Sequence, residues 1–195
     1  PPEGSRPYGR IIAYLNSPVA GTAGCFGQSA APFFARVEVP MANKAILFDS
    51  TQCVGCRACE EACSKKWALN YDETVAADER LSERKLTTVV TRGERYVRRL
   101  CMHCAEPTCV SVCPVGAFQK TALGPVVYEE ARCMGCRYCM IACPFRVPAY
   151  EWSKVLPKVR KCDMCSERLL AGQPTACAEA CPTGATTTGD RDVLV

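Results

Sequence analysis

The sequence predicts an α+β fold of short strands, short helices and long loops, built as a doubled unit, and three observations predict it. Sixteen of the 17 cysteines fall into four groups of four, with only Cys25 outside them. The first group (Cys53, Cys56, Cys59, Cys63) and the third (Cys133, Cys136, Cys139, Cys143) share one spacing, C-x2-C-x2-C-x3-C. The second (Cys101, Cys104, Cys109, Cys113) and the fourth (Cys162, Cys165, Cys177, Cys181) have a widened middle gap, and each runs into the same kind of tetrad, Pro114-Val-Gly-Ala117 and Pro182-Thr-Gly-Ala185. Two kinds of group alternating along one chain mark an internal repeat.

The cysteines also name the chemistry. Three thiolates at a three-residue period grip one cubane iron–sulfur cluster, and a fourth cysteine, set before a proline, ligates a second cluster. A disulfide scaffold is excluded, because such scaffolds are usually shorter than about 100 residues and do not repeat C-x-x-C at one internal period. Zinc is bound by paired C-x-x-C elements and has no need of three consecutive ligands followed by a fourth and a proline. A thioredoxin-like role is weaker still, since each C-x-x-C is embedded in a longer ligand run.

Net charge reads differently once clusters are counted. The formal value of +4 treats every thiol as neutral. An oxidised cubane with four thiolates carries about −2, so four of them bring the chain to about −4. The lysines and arginines then compensate buried negative clusters, and no unopposed basic stripe is present for nucleic acid. No run reaches the roughly 20 apolar residues needed to span a bilayer.

Taken in order, residues 1–43 hold no ligand pattern and read as a leader, an extension or sequence upstream of a start at Met41, poorly ordered in each case; Cys25 reads as an unpaired cysteine without a role. Lys44–Asp49 is a strand. Glu60–Cys63 is a short helical turn carrying a ligand, and Ser64 stands where the other groups have proline. Glu73–Lys85 is charged and reads as an exposed loop of helical character. Leu86–Thr91 and Glu94–Arg98 form a hairpin around Arg92-Gly93. Ala117–Lys120 and Val126–Tyr128 are strands around a Leu123-Gly124-Pro125 turn. A short helix ends at Gly172.

Spacing alone leaves the pairing of the groups open, since 19 residues separate Cys113 from Cys133 and 18 separate Cys143 from Cys162. Three stretches carry a resemblance: Cys101-Met-His-Cys104 with Cys109 after four residues, Cys136-Arg-Tyr-Cys139, and Lys161-Cys-Asp-Met-Cys165. They resemble the four-cluster iron–sulfur subunits of the dimethyl sulfoxide reductase type. The likeness is greatest to the beta subunits of formate dehydrogenases and to the ferredoxin-type electron-transfer subunits of nickel–iron hydrogenases, and it covers about residues 44–191. The resemblance implies four [4Fe-4S] clusters held by Cys53, Cys56, Cys59 and Cys181; by Cys162, Cys165, Cys177 and Cys63; by Cys101, Cys104, Cys109 and Cys143; and by Cys133, Cys136, Cys139 and Cys113. It implies two ferredoxin-like two-cluster units, one inserted in the other: an outer unit of 44–99 and 155–195, and an inner unit of 100–154.

Around the ligands, Gly55 and Gly135 let the backbone approach a cluster. Arg57, Arg132, Arg137 and Lys161 are candidates for tuning its potential, and His103 for packing or hydrogen bonding. Trp67, Tyr138 and Trp152 read as packing aromatics. No nucleophile–base set or nucleotide loop is visible, so the expected role is non-catalytic electron transfer. The resemblance implies a catalytic partner of molybdopterin or nickel–iron type and an integral-membrane quinone-reactive subunit. It also implies membrane association through those partners, at the periplasmic face. A free soluble polyferredoxin is the alternative, and a zinc-binding scaffold a weaker one.

Overall fold

The computed structural model describes residues 43–78, 80–152, 155 and 158–194, all within the unit Ala42–Val195; the readings of residues 1–40 and of Cys25 lie outside the described residues. Regular structure is short because ligand loops and prolines interrupt it. Among the described residues every sheet is a two-stranded antiparallel ribbon.

β1 (Lys44–Phe48) pairs with β8 (Thr186–Asp190), with Lys44 opposite Asp190 and Phe48 opposite Thr186. The chain's early and late segments therefore meet, and a Lys44–Asp190 ion pair of 2.8 Å sits at one end of the ribbon. β2 (Thr88–Arg92) and β3 (Arg95–Arg99) form the expected hairpin, turned on Gly93-Glu94, one residue later than the sequence suggests. β4 (Phe118–Lys120) pairs with β5 (Val126–Tyr128), and β6 (Ala149–Tyr150) with β7 (Val159–Arg160).

The helices carry cysteines of the four groups. α1 (Ala58–Trp67) holds Cys59 and Cys63, α2 (Thr108–Ser111) holds Cys109, and α3 (Tyr138–Ala142) holds Cys139. α4 (Ser166–Leu170) follows Cys165, α5 (Ala176–Glu179) holds Cys177, and α6 (Arg191–Leu194) ends the described chain. α1 packs on α5, and α2 on α3. Gly172 (φ +72°) donates its N–H to the Leu169 carbonyl and ends the turn after α4, as expected.

α1 is longer than the expected turn, and Ser64 explains it. After Cys113, Cys143 and Cys181 a proline stops the helix. The third residue beyond each cysteine is then left-handed (Gly116, Arg146, Gly184; φ 60°, 52°, 69°) and bonds back to the cysteine carbonyl. Serine permits helix, so α1 runs on to Trp67 and stops at a left-handed Ala68.

The segment Glu73–Lys85 is a run of turns without helix, and it is not wholly exposed. Lys85 is buried, with Nζ 2.8 Å from Glu60 Oε2 and donating to the Ala76 carbonyl. Glu60 lies between two α1 cysteines and accepts the Val89 N–H through its other oxygen. The charge pattern suggests a solvated loop; the lysine instead neutralises a fully buried carboxylate. Two small cores complete the fold, and both include cysteines of the four groups. One gathers Phe118, Val126, Cys139, Tyr150 and Val159, the other Cys59, Val89 and Cys177.

Candidate functional site

In all four groups the residue before the second cysteine has a left-handed backbone: Gly55 (72°), His103 (45°), Gly135 (77°) and Met164 (61°). Glycine adopts this freely, whereas a side chain there costs on the order of 1–2 kcal/mol. The repetition shows that the loop geometry, not the residue, is what recurs. The next turn is left-handed too, at Arg57 and Arg137 after the cysteine and at Cys165 itself. In groups one and three the left-handed Arg57 and Arg137 lead straight into right-handed helix, a juncture that points successive N–H groups into one concavity and suits an anion.

The Pro-x-Gly-Ala tetrads gain a reason here. The Ala117 N–H donates to Cys113 Sγ at 3.2 Å. Burial pushes the Cys181 thiol up, but the N–H groups of Thr186, Thr183 and Ala185 and the Thr183 hydroxyl outweigh it and lower it. The proline turns the chain, the glycine closes the turn, and the alanine amide meets the sulfur.

The structure brings cysteines of different groups together. One cavity is lined by Cys101, Cys104 and Cys109 of the second group and by Cys143 of the third. Burial pushes Cys139 up to about 12, with Cys133, Cys109, Cys136 and Cys113 adding to it. Burial also raises Cys63, reinforced by Cys177 and Cys165 of the fourth group. Cys162 is raised by burial and then by Cys63, Asp163, Cys101 and Cys177. Cys59 is pushed up to about 11 by burial, with Arg98 opposing and Cys177 adding. Cys181 approaches the first group through the backbone, since the Asp49 N–H donates to the Ala185 carbonyl next to the β1–β8 ribbon. Among the described residues no two cysteines form a disulfide. Among the described residues no three His, Cys, Asp or Glu side chains close on a single metal ion.

The candidate tuning residues divide. Lys161 is buried, lines the four-cysteine cavity, and donates to the carbonyls of Val126 and Cys162 (2.9 Å for the latter). Arg57 lies 3.9 Å from Glu60, and Arg132 pairs with Glu129 at 2.7 Å. Arg137 stacks on Tyr150 and Trp152, at 5.3 and 5.0 Å. Trp67 is covered by Lys66, while Tyr138 and Trp152 are more than half exposed. Sequence reasoning missed Arg98, which is buried beside Cys177 and Cys59; in sequence it is one arginine among several in a charged hairpin.

An iron–sulfur cluster fits these residues on a test internal to the structure. His103 is buried and borders the four-cysteine cavity, and its Nδ1 accepts the Val126 N–H at 2.9 Å. Nε2 must then carry the proton, and among the described residues it has no acceptor. A buried donor normally has a partner, and inorganic sulfide of a cluster held in that cavity would supply one.

Two family matches, each described as a 4Fe-4S dicluster domain, cover residues 52–117 and 94–191. The chain belongs to the 4Fe-4S dicluster family. Two such domains imply four [4Fe-4S] clusters, in keeping with the four cysteine groups. This dicluster protein is 37% identical over 150 residues to a subunit of the anaerobic dimethyl sulfoxide reductase of Haemophilus influenzae, covering 69% of this protein and 68% of that subunit. It is 38% identical over 175 residues to the hydrogenase-2 operon protein HybA of Escherichia coli O157:H7 (77% and 52%). It is 32% identical over 199 residues to the formate dehydrogenase-O iron-sulfur subunit of Escherichia coli K12 (94% and 64%). The chain spans about half the length of several curated relatives that it matches.

Proposed function

We propose that this dicluster protein is a non-catalytic electron-transfer subunit. It would connect a catalytic oxidoreductase subunit, of molybdopterin or nickel–iron type, with a membrane quinone-reactive subunit. Each [4Fe-4S] cluster supplies reversible one-electron chemistry. The chain's own residues hold the clusters, exclude water and set their order.

The observation that carries this reading is the cavity lined by Cys101, Cys104, Cys109 and Cys143, where the last cysteine of one group joins three of another. It supports the nested ligand sets: Cys53, Cys56, Cys59 with Cys181; Cys162, Cys165, Cys177 with Cys63; Cys101, Cys104, Cys109 with Cys143; and Cys133, Cys136, Cys139 with Cys113. The packing of α1 on α5 and of α2 on α3 favours an outer and an inner two-cluster unit. The neighbour relations Cys139–Cys109, Cys162–Cys101 and Cys59–Cys177 favour a single row, with the site of group three followed by those of groups two, four and one.

A subunit role is favoured over a diffusing polyferredoxin by the surface around the inner unit. Ile141 and Trp152, 82 and 64% exposed, line one open groove there. Clustered exposed apolar side chains mark contact surfaces. Among the described residues no helix is long and apolar enough to cross a membrane. Membrane attachment through a partner, at the periplasmic face, is part of the same proposal.

Anaerobic affinity purification from the native cell tests it. The expected result is about 16 iron and 16 sulfide per chain, together with a co-purifying catalytic subunit. A colourless protein with stoichiometric zinc would sink the reading, and a lone brown monomer competent in electron exchange would favour the polyferredoxin.

A further inference from the structure

Arg98, on β3, is buried, and among the described residues no carboxylate forms an ion pair with it. Its guanidinium is held at two points. Nε donates to Thr87 Oγ1 at 3.0 Å, and one terminal nitrogen donates to Thr186 Oγ1 on β8 at 3.2 Å. The Thr87 hydroxyl spends its own proton on the Arg99 carbonyl, so its lone pairs face Arg98. A buried cation without a countercharge costs several kcal/mol. The place for that countercharge is beside Cys59 and Cys177, against which Val89, directly opposite Arg98 across the β2–β3 ribbon, packs.

These two cysteines do not belong to one site. Under the ligand sets proposed above, on which this inference rests, Cys59 serves the first outer cluster while Cys177 serves the second. We propose that Arg98 is the fixed cation shared by the two outer clusters, raising both reduction potentials together and so keeping the two poised for exchange. When one electron enters a cubane with four thiolates, its charge goes from about −2 to about −3, and no proton need accompany it. A fixed positive charge in a low dielectric stabilises the more negative form more. Because one guanidinium serves both sites, losing it lowers both potentials.

Arg98 also ties β3 to β8, so the test must separate charge from architecture. The full chain, purified anaerobically, is titrated with dithionite and followed by electron paramagnetic resonance. The outer clusters are assigned beforehand with Cys53→Ser and Cys165→Ser. Arg98→Met is expected to lower the reduction equilibrium of both outer clusters about tenfold, which is about 59 mV for one electron, with the inner two unmoved. Arg98→Lys is expected to stay near the native midpoints. Movement of one midpoint or none, or equal shifts in the Lys and Met variants, overturns the proposal. If Arg98→Met fails to hold the outer clusters, Arg98→Lys decides. Retained clusters near native midpoints support a charge requirement, and equal loss overturns it. Iron content separates the two levels: four cubanes with unmoved midpoints sink only this inference, whereas fewer cubanes in the unaltered chain sink the ligand sets beneath it.

Discussion

The Tyr150 hydroxyl lies over Gly135, donating to its carbonyl at 3.4 Å and standing 2.7 Å from where a Cβ would project. Gly55 has the same relation to the Tyr96 ring, at 2.4 Å. In both loops an aromatic closes over the glycine between two ligands. Gly135→Ala is therefore expected to cost more than the roughly 1 kcal/mol of a left-handed alanine alone and to deplete the third group's cluster. Gly93→Ala is the control, since it shares a positive φ (60°) but has nothing within 4 Å. Thermal midpoints and iron content of the two variants check this; equal losses would refute it.

Cys143→Ser is expected to perturb the second group's cluster, because Cys143 lines the cavity with Cys101, Cys104 and Cys109. About a quarter of the iron, one cubane of four, is at stake. Electron paramagnetic resonance of the reduced variant reads which signal changes. A change confined to the fourth group's cluster would contradict the nested sets.

Much of this site was legible because ligand spacing is a local property. Sixteen cysteines, the widened gaps and the prolines all lie within short windows, and the hairpins β2–β3 and β4–β5 carry their own turn residues. What escaped was non-local. Thr186-Thr-Thr-Gly-Asp190 is too polar to announce a strand, and its partner β1 lies at the other end of the described chain. Lys85 sits in a charged run that reads as an exposed loop and Arg98 in a charged hairpin strand, and only the folded chain shows Glu60 meeting the one and Thr87 and Thr186 holding the other. His103 and Met164 hide a glycine-like backbone behind ordinary side chains.

The buried pair Glu60–Lys85 is expected to matter for stability more than any exposed ion pair. Lys85→Met removes the nearer cation from a buried carboxylate within α1 and leaves only Arg57, at 3.9 Å, costing up to about 3–5 kcal/mol. Adding Glu60→Gln should recover part of that loss, and equilibrium denaturation of the single and double variants measures it. A loss below about 1 kcal/mol, typical of surface pairs, would contradict the buried assignment.

His103→Gly keeps the left-handed backbone but removes the Nε2 donor. Hydrogen bonds to cluster sulfur raise potentials, so the second group's midpoint should fall while the other three stay. A redox titration of the variant beside the unaltered protein checks it. An unmoved midpoint would mean that the Nε2 proton faces something other than the cluster.

The β1–β8 ribbon has a consequence in time. Lys44 pairs with Asp190, so β1 leaves the ribosome well over a hundred residues ahead of its partner. At about 5–20 residues per second, that delay is on the order of ten seconds. Throughout it, Cys53, Cys56 and Cys59 are nascent thiols that the β1–β8 ribbon cannot yet enclose, open to oxygen and to stray metals. Until β8 arrives, protection of those thiols has to come from outside the ribbon.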